Sequence, residues 1–151
     1  MNININGVLN GIDCALPALK RTQGAHVVTM SSTSSMYGMP ELAVYSASKH
    51  AVRALTEALD LEYERYGITV TDVVAPFVNT PMVTQADHKG HAVSATGVNV
   101  RPEQVAEVVW KAAHGRRLHW KIHCLTHILA FVFAVLPMYR RALVKRLCLS
   151  K

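Results

Sequence analysis

Three cysteines, Cys14, Cys124 and Cys148, are all the chain has. Their number is odd and no Cys-x-x-Cys spacing occurs, so a disulfide framework is excluded and a reducing, cytoplasmic setting is expected. They read as ordinary buried or partly buried thiols. Aromatic residues make up only 7% and are not interleaved with the basic ones, which gives no support to nucleic-acid binding. The longest apolar run, 128–136, is far short of the twenty or so residues that a membrane-spanning helix needs. The N-terminus has neither a basic start nor a long apolar stretch, so nothing resembles a secretory signal. Acidic residues are missing altogether from Arg116 onward, while eight Lys/Arg lie there, so the net charge of +6 belongs to the tail and the preceding chain sums to about −2.

What is present fits one globular α/β unit of 151 residues, half of them hydrophobic. Apolar residues at Ile5, Val8, Leu9, Ile12, Ala15, Leu16 and Leu19 predict an amphipathic helix, with a bend expected at Pro17. The run 26–30 predicts a buried strand that feeds a loop of five hydroxyl residues, 31–35. A second helix is expected over 42–66, with Val44, Ala47, Ala51, Val52, Leu55, Ala58 and Leu59 on its apolar side and Gly67 ending it. The β-branched run 68–75, stopped by Pro76, predicts a second buried strand. Strand, long helix, strand is the parallel crossover unit.

Segment 79–100 is polar and without period, the signature of a mobile lid. Pro102 opens another helix to about position 114. Alternation of Leu118, Trp120, Ile122 and Cys124 with His119, Lys121 and His123 predicts a third, half-buried strand with both histidines on its polar face. Thr126 is the expected cap of a last apolar helix, which Pro137 interrupts before a basic end. A helical reading of His119, His123 and His127 beside Cys124 would offer metal ligands, but the alternation argues against it and no metal site is expected.

Tyr45 and Lys49 lie four apart at the start of the second helix and so share a face. A tyrosine with a pKa near 10 is a weak acid-base catalyst at neutral pH, and an ammonium beside it stabilises the phenolate. Such a pair gives a proton to a carbonyl oxygen, or takes one from an alcohol, while hydride moves on carbon. The spacing alone is common by chance; its neighbourhood is not. Before it stand Val28, Thr29, Met30, Ser31 and Ser32, then Gly38, Met39 and Pro40, and the pair itself sits in Tyr45, Ser46, Ala47, Ser48, Lys49, His50, Ala51.

In these segments the chain resembles the short-chain dehydrogenase/reductase family. The resemblance implies the C-terminal half only of a Rossmann-type doubly wound parallel sheet, with residues 1–125 as the catalytic half and 126–151 as an apolar and basic helical extension. It implies a small-molecule alcohol or carbonyl substrate, NAD or NADP as cofactor, and a homo-oligomer built on the first and second helices. Among the five hydroxyls, which the residues alone leave equivalent, it selects Ser32 to hold the substrate oxygen. It assigns Asn4, in an Asn-x-x-Gly pattern with Gly7, to a proton relay behind Lys49; an N-cap is an equally natural role for that asparagine. Pro76, Val78 and Thr80, with Tyr45 and Lys49, are the implied cofactor contacts, although Phe77 stands where the family has glycine.

The Gly-rich turn that receives the pyrophosphate in this family does not occur in the chain. Two expectations follow: the chain is a piece of a longer NAD(P)-dependent oxidoreductase, or it is a catalytically inactive form that acts as an interaction or dimerisation module. An apolar substrate is suggested by Met36, Met39 and Met82. The apolar and basic tail suits shallow contact with an anionic membrane surface, against the plainer alternative that it packs on the domain and leaves its cations in water.

Overall fold

The computed structural model describes residues 1–85 and 100–149. A π-helical turn, Asn2–Asn6, leads into α1 (Gly7–Leu19), which runs through Pro17. Strand β1 (His26–Ser32), helix α2 (Ala43–Tyr63) and strand β2 (Thr69–Ala75) form the crossover unit. There follow α3 (Pro81–Thr84), α4 (Pro102–Ala112), β3 (His119–Lys121), α5 (Cys124–Val135) and α6 (Arg140–Leu149). The three strands are parallel in the order β1-β2-β3. In register, Ser32 sits opposite Ala75 and Val73 opposite Trp120, so the fold class is the expected α/β parallel sheet.

Every residue of β2 from Val70 to Ala75 is buried, which requires cover on both faces. Helices α1 and α2 cover one, through a core of Ile12, Ala25, Tyr63, Ile68 and Val70 with Leu16 and Leu59 against it. Helix α4 packs on β2 and β3. Helix α2 ends in a 3-10 turn whose cap, Gly67, takes φ 68°, a left-handed conformation that a side chain would strain. Truncating Val73, which is fully buried at the sheet centre, is expected to cost about 2–3 kcal/mol, two lost carbons plus a residual cavity. Urea melts of Val73→Ala would measure it.

Several expectations need correction. β1 runs two residues beyond position 30, because Ser31 and Ser32 are buried and bonded locally instead of forming a loop. The buried side of α2 is not the alanine side: Ser46, Ser48, Val52, Thr56 and Tyr63 face in, while Val44, Ala47 and Ala58 face out. Helical hydroxyls can be buried because Thr56 and Ser48 return their protons to the carbonyls of Val52 and Tyr45.

The third strand is shorter than expected, since Cys124 already begins α5. That helix is capped by His123, whose Nδ1 accepts from the Leu125 amide at 3.2 Å, and Thr126 is buried inside it. Cys14 and Cys124 are exposed and only Cys148 is buried, where desolvation raises its thiol pKa. Of the lid expected over 79–100, α3 is helical and Val78 pairs with Val100. Residues 86–99, with His88 and His91, lie outside the described residues, as does the side chain of Met82.

Candidate active site

The C-terminal ends of β1 and β2 bring Ser32 and Ala75 side by side, and the chain leaves both there for α2 and for the Pro76–Thr80 segment. The loop after Ser32 is fastened to the first turn of α2: the Met39 amide donates to Ser46 Oγ at 3.0 Å and the Ser46 amide to the Leu42 carbonyl at 2.7 Å. This fixes where the first two turns of α2 point Tyr45 and Lys49.

Tyr45 is 37% exposed. The Lys49 ammonium lies 5.7 Å from the centre of the Tyr45 ring and donates to the Met30 carbonyl at 2.8 Å. Partial burial lowers the Lys49 pKa, since desolvation penalises its charged form. The two residues that the sequence paired are thus together, with Lys49 tethered to the strand beside them.

Asn4 reaches the same turn by another route. Its Nδ2 donates to Ser48 Oγ at 3.2 Å, and Ser48 in turn donates to the Tyr45 carbonyl at 2.7 Å. The amide therefore bonds next to Lys49, not to it. Ser32 closes β1 and its Oγ accepts from the Ser34 amide at 3.2 Å; among the described residues no hydrogen bond joins it to Tyr45. Thr80 Oγ1 lies 3.5 Å from the Val78 carbonyl, which also takes the Thr80 amide at 2.8 Å. Pro76 and Phe77 line an apolar cavity of about 120 Å³ shared with Met36 and Met39. Phe77, the departure from glycine, packs into a cluster of Phe133, Val144 and Cys148, so its ring ties this segment to the two C-terminal helices.

Ser48, Ser46 and the Met30 carbonyl were not singled out from the sequence. The two serines had a signal: hydroxyls inside a helix are disfavoured unless they bond locally. A carbonyl that anchors a lysine has none.

Sequence reasoning also misplaced His119. It is not on an open polar face but bonds through Nδ1 to Oδ1 of the fully buried Asp72 at 2.8 Å, with Nε2 3.3 Å from Glu57. Arg53 completes the network at 2.9 Å from Glu57 and, with His119, holds the Glu57 carboxyl below its ordinary pKa of 4.5. A depressed carboxyl stabilises the fold above its unfolded value, and that contribution is lost as pH falls through the lower folded one. Acid melts of Glu57→Gln are therefore expected to be flatter below about pH 4.5 than those of the wild type.

Residues 1–91 match the short chain dehydrogenase family. The cyclohexanol dehydrogenase of Acinetobacter sp. is 30% identical over 113 residues, 72% of this chain and 44% of that protein. An uncharacterized oxidoreductase of Listeria innocua is 33% identical over 115 residues, 72% of this chain and 46% of its own. Among solved structures, a short chain dehydrogenase of Burkholderia cenocepacia in complex with NADP superposes with a TM-score of 0.79 at 24% identity, over 98% of this chain and 58% of the other. One from Mycobacterium paratuberculosis bound to NAD gives 0.68 at 25%, over 81% and 52%. The chain spans about half the length of these relatives. The family match covers more than half of the chain, and the parallel α/β fold agrees with it: the chain belongs to the short chain dehydrogenase family.

Proposed function

We propose that the chain carries the proton-transfer half of an NAD(P)-dependent oxidoreductase that interconverts an alcohol and a carbonyl. The observation that carries this reading is the partly desolvated Lys49 ammonium, tethered to Met30 and set against the Tyr45 ring one turn away. In the reducing direction Tyr45 gives its hydroxyl proton to the carbonyl oxygen and Lys49 stabilises the phenolate left behind. Ser32 holds the same oxygen. Asn4 stands in the relay behind Lys49, a role supported by its bond through Ser48 into that turn.

Lys49, Tyr45 and the Pro76, Val78 and Thr80 segment suit the nicotinamide end of NAD or NADP. Lys49 presents a donor to a ribose hydroxyl, and the pairing of Val78 with Val100 steadies the backbone beside it. When bound, the nicotinamide supplies or accepts the hydride. An apolar substrate is supported by the cavity lined by Met36, Met39 and Phe77. A homo-oligomer is supported by the outward stripe of Val44, Ala47, Ala54, Ala58 and Leu61 on α2, where small side chains let a second helix approach closely.

That stripe equally favours the competing reading, an inactive member that serves as a dimerisation module. Oxidation of NADH or NADPH by the purified chain with a panel of small apolar ketones separates the two. Turnover that rises with ketone concentration supports the enzyme; a folded dimer without turnover supports the module.

A further inference from the structure

Helix α5 carries no Asp, Glu, Lys or Arg, and past Thr126 and His127 in its first turn every residue is apolar. Thr126 and Phe133 face the domain, whereas Leu125, Ile128, Phe131 and Val135, spaced three to four apart, are each at least half exposed. The stripe continues past the helix to Met138, which is 79% exposed. A helix whose residues 128–135 are all apolar belongs in a core or against a membrane, and a core covers only half of this one. Next to the stripe, α6 brings Arg140, Arg141, Lys145 and Arg146 within ten residues and no acid. An open cleft of about 700 Å³ between α2 and α5 adds Arg53 and Lys121 to the same neighbourhood, with Glu57 the one acid on its wall among the described residues.

We infer that α5 and α6 together dock the chain on the surface of a bilayer containing anionic lipid. The charge pattern selects this occupant over a second copy: an isologous pairing through the stripe would bring the exposed Arg141 and Lys145 of both copies together. The pair lies on the bilayer and does not cross it. No single helix among the described residues is long and apolar enough to span, α5 at 12 residues is about 18 Å long, and the two helices are bent by 111°. Insertion of Ile128, Phe131, Val135 and Met138 to the depth of the headgroups leaves the exposed Arg141 and Lys145 among the lipid phosphates. Leu125 and Leu147, both exposed, also line the apolar cavity beside Pro76. Docking therefore sets that cavity against the bilayer, a route by which a membrane-dissolved substrate enters; this last step rests on the proposed function, while the docking itself does not.

Co-sedimentation of the purified chain with vesicles tests it. Vesicles of phosphatidylcholine with phosphatidylglycerol are expected to bind the chain at least about ten-fold more strongly than phosphatidylcholine alone, with the difference lost in high salt. The double variant Phe131→Glu, Met138→Glu and the charge variant Arg141→Gln, Lys145→Gln should each weaken binding about ten-fold while melting as the wild type does, since all four positions are exposed. Three outcomes overturn the inference: no binding to either vesicle, binding indifferent to both sets of substitutions, or a wild-type dimer in solution that Phe131→Glu dissociates.

Discussion

Tyr45→Phe is expected to lower ketone-dependent turnover by about 10²–10⁴-fold, the usual contribution of a positioned acid-base group. The melting temperature should not move. Among the described residues the Tyr45 hydroxyl makes no hydrogen bond, and the contact with Lys49 is to the ring, which phenylalanine keeps. Loss of activity with an unaltered melt places the effect on the proton and not on the fold. Activity within ten-fold of the wild type would remove Tyr45 from the acid-base role, whatever Lys49 does.

The second large effect falls on stability. Among the described residues, His119→Ala strips the only side-chain donor from Asp72, whose Oδ1 bonds to His119 and whose Oδ2 has no partner there, in a residue with no exposed surface. Breaking such a buried pair from one side costs about 3–5 kcal/mol, a large share of the roughly 5–15 kcal/mol that a domain has in total. Removing both partners, as in Asp72→Leu with His119→Leu, should recover most of the loss, because no orphaned polar group remains. Denaturant melts of the single and double variants measure both. A loss below about 1 kcal/mol in the single variant would show that the pair is not a structural unit.

How legible this chain is from its sequence depended on what each residue answers to. Strand β2 was plain because its β-branched run has to be buried on both faces. The Tyr45–Lys49 pair was plain because helical spacing alone brings positions four apart together. Where side chains choose partners distant in sequence, pattern reading failed. Thr56 and Ser48 look like surface residues of α2 until their bonds to the turn before, and Thr56 to Thr29 at 2.8 Å, make their burial cheap. His119 looks like half of a polar face until Asp72, 47 residues earlier, stands beside it. The tail divided in the same way. Phe133 and Val144 pack on Phe77 and Met36, which no local period predicts, while the exposed stripe on α5 follows the helical repeat.

Phe77 shows how a departure from a family pattern becomes readable only in three dimensions. In sequence it weakens the case for Val78 and Thr80. In the fold its ring joins the cluster that holds α5 and α6 over the site.

The most direct measurement is a fluorescence titration of the purified 151-residue chain with NADH and NADPH, beside a Lys49→Ala variant shown by its melt to be folded. Saturable binding of at least one of them by the wild type and its loss in the variant are expected, because Lys49 is, among the described residues, the one ammonium set against Tyr45. No binding by a folded wild-type chain, or equal binding by the variant, would contradict the claim that this half of the fold assembles the nicotinamide end of the site.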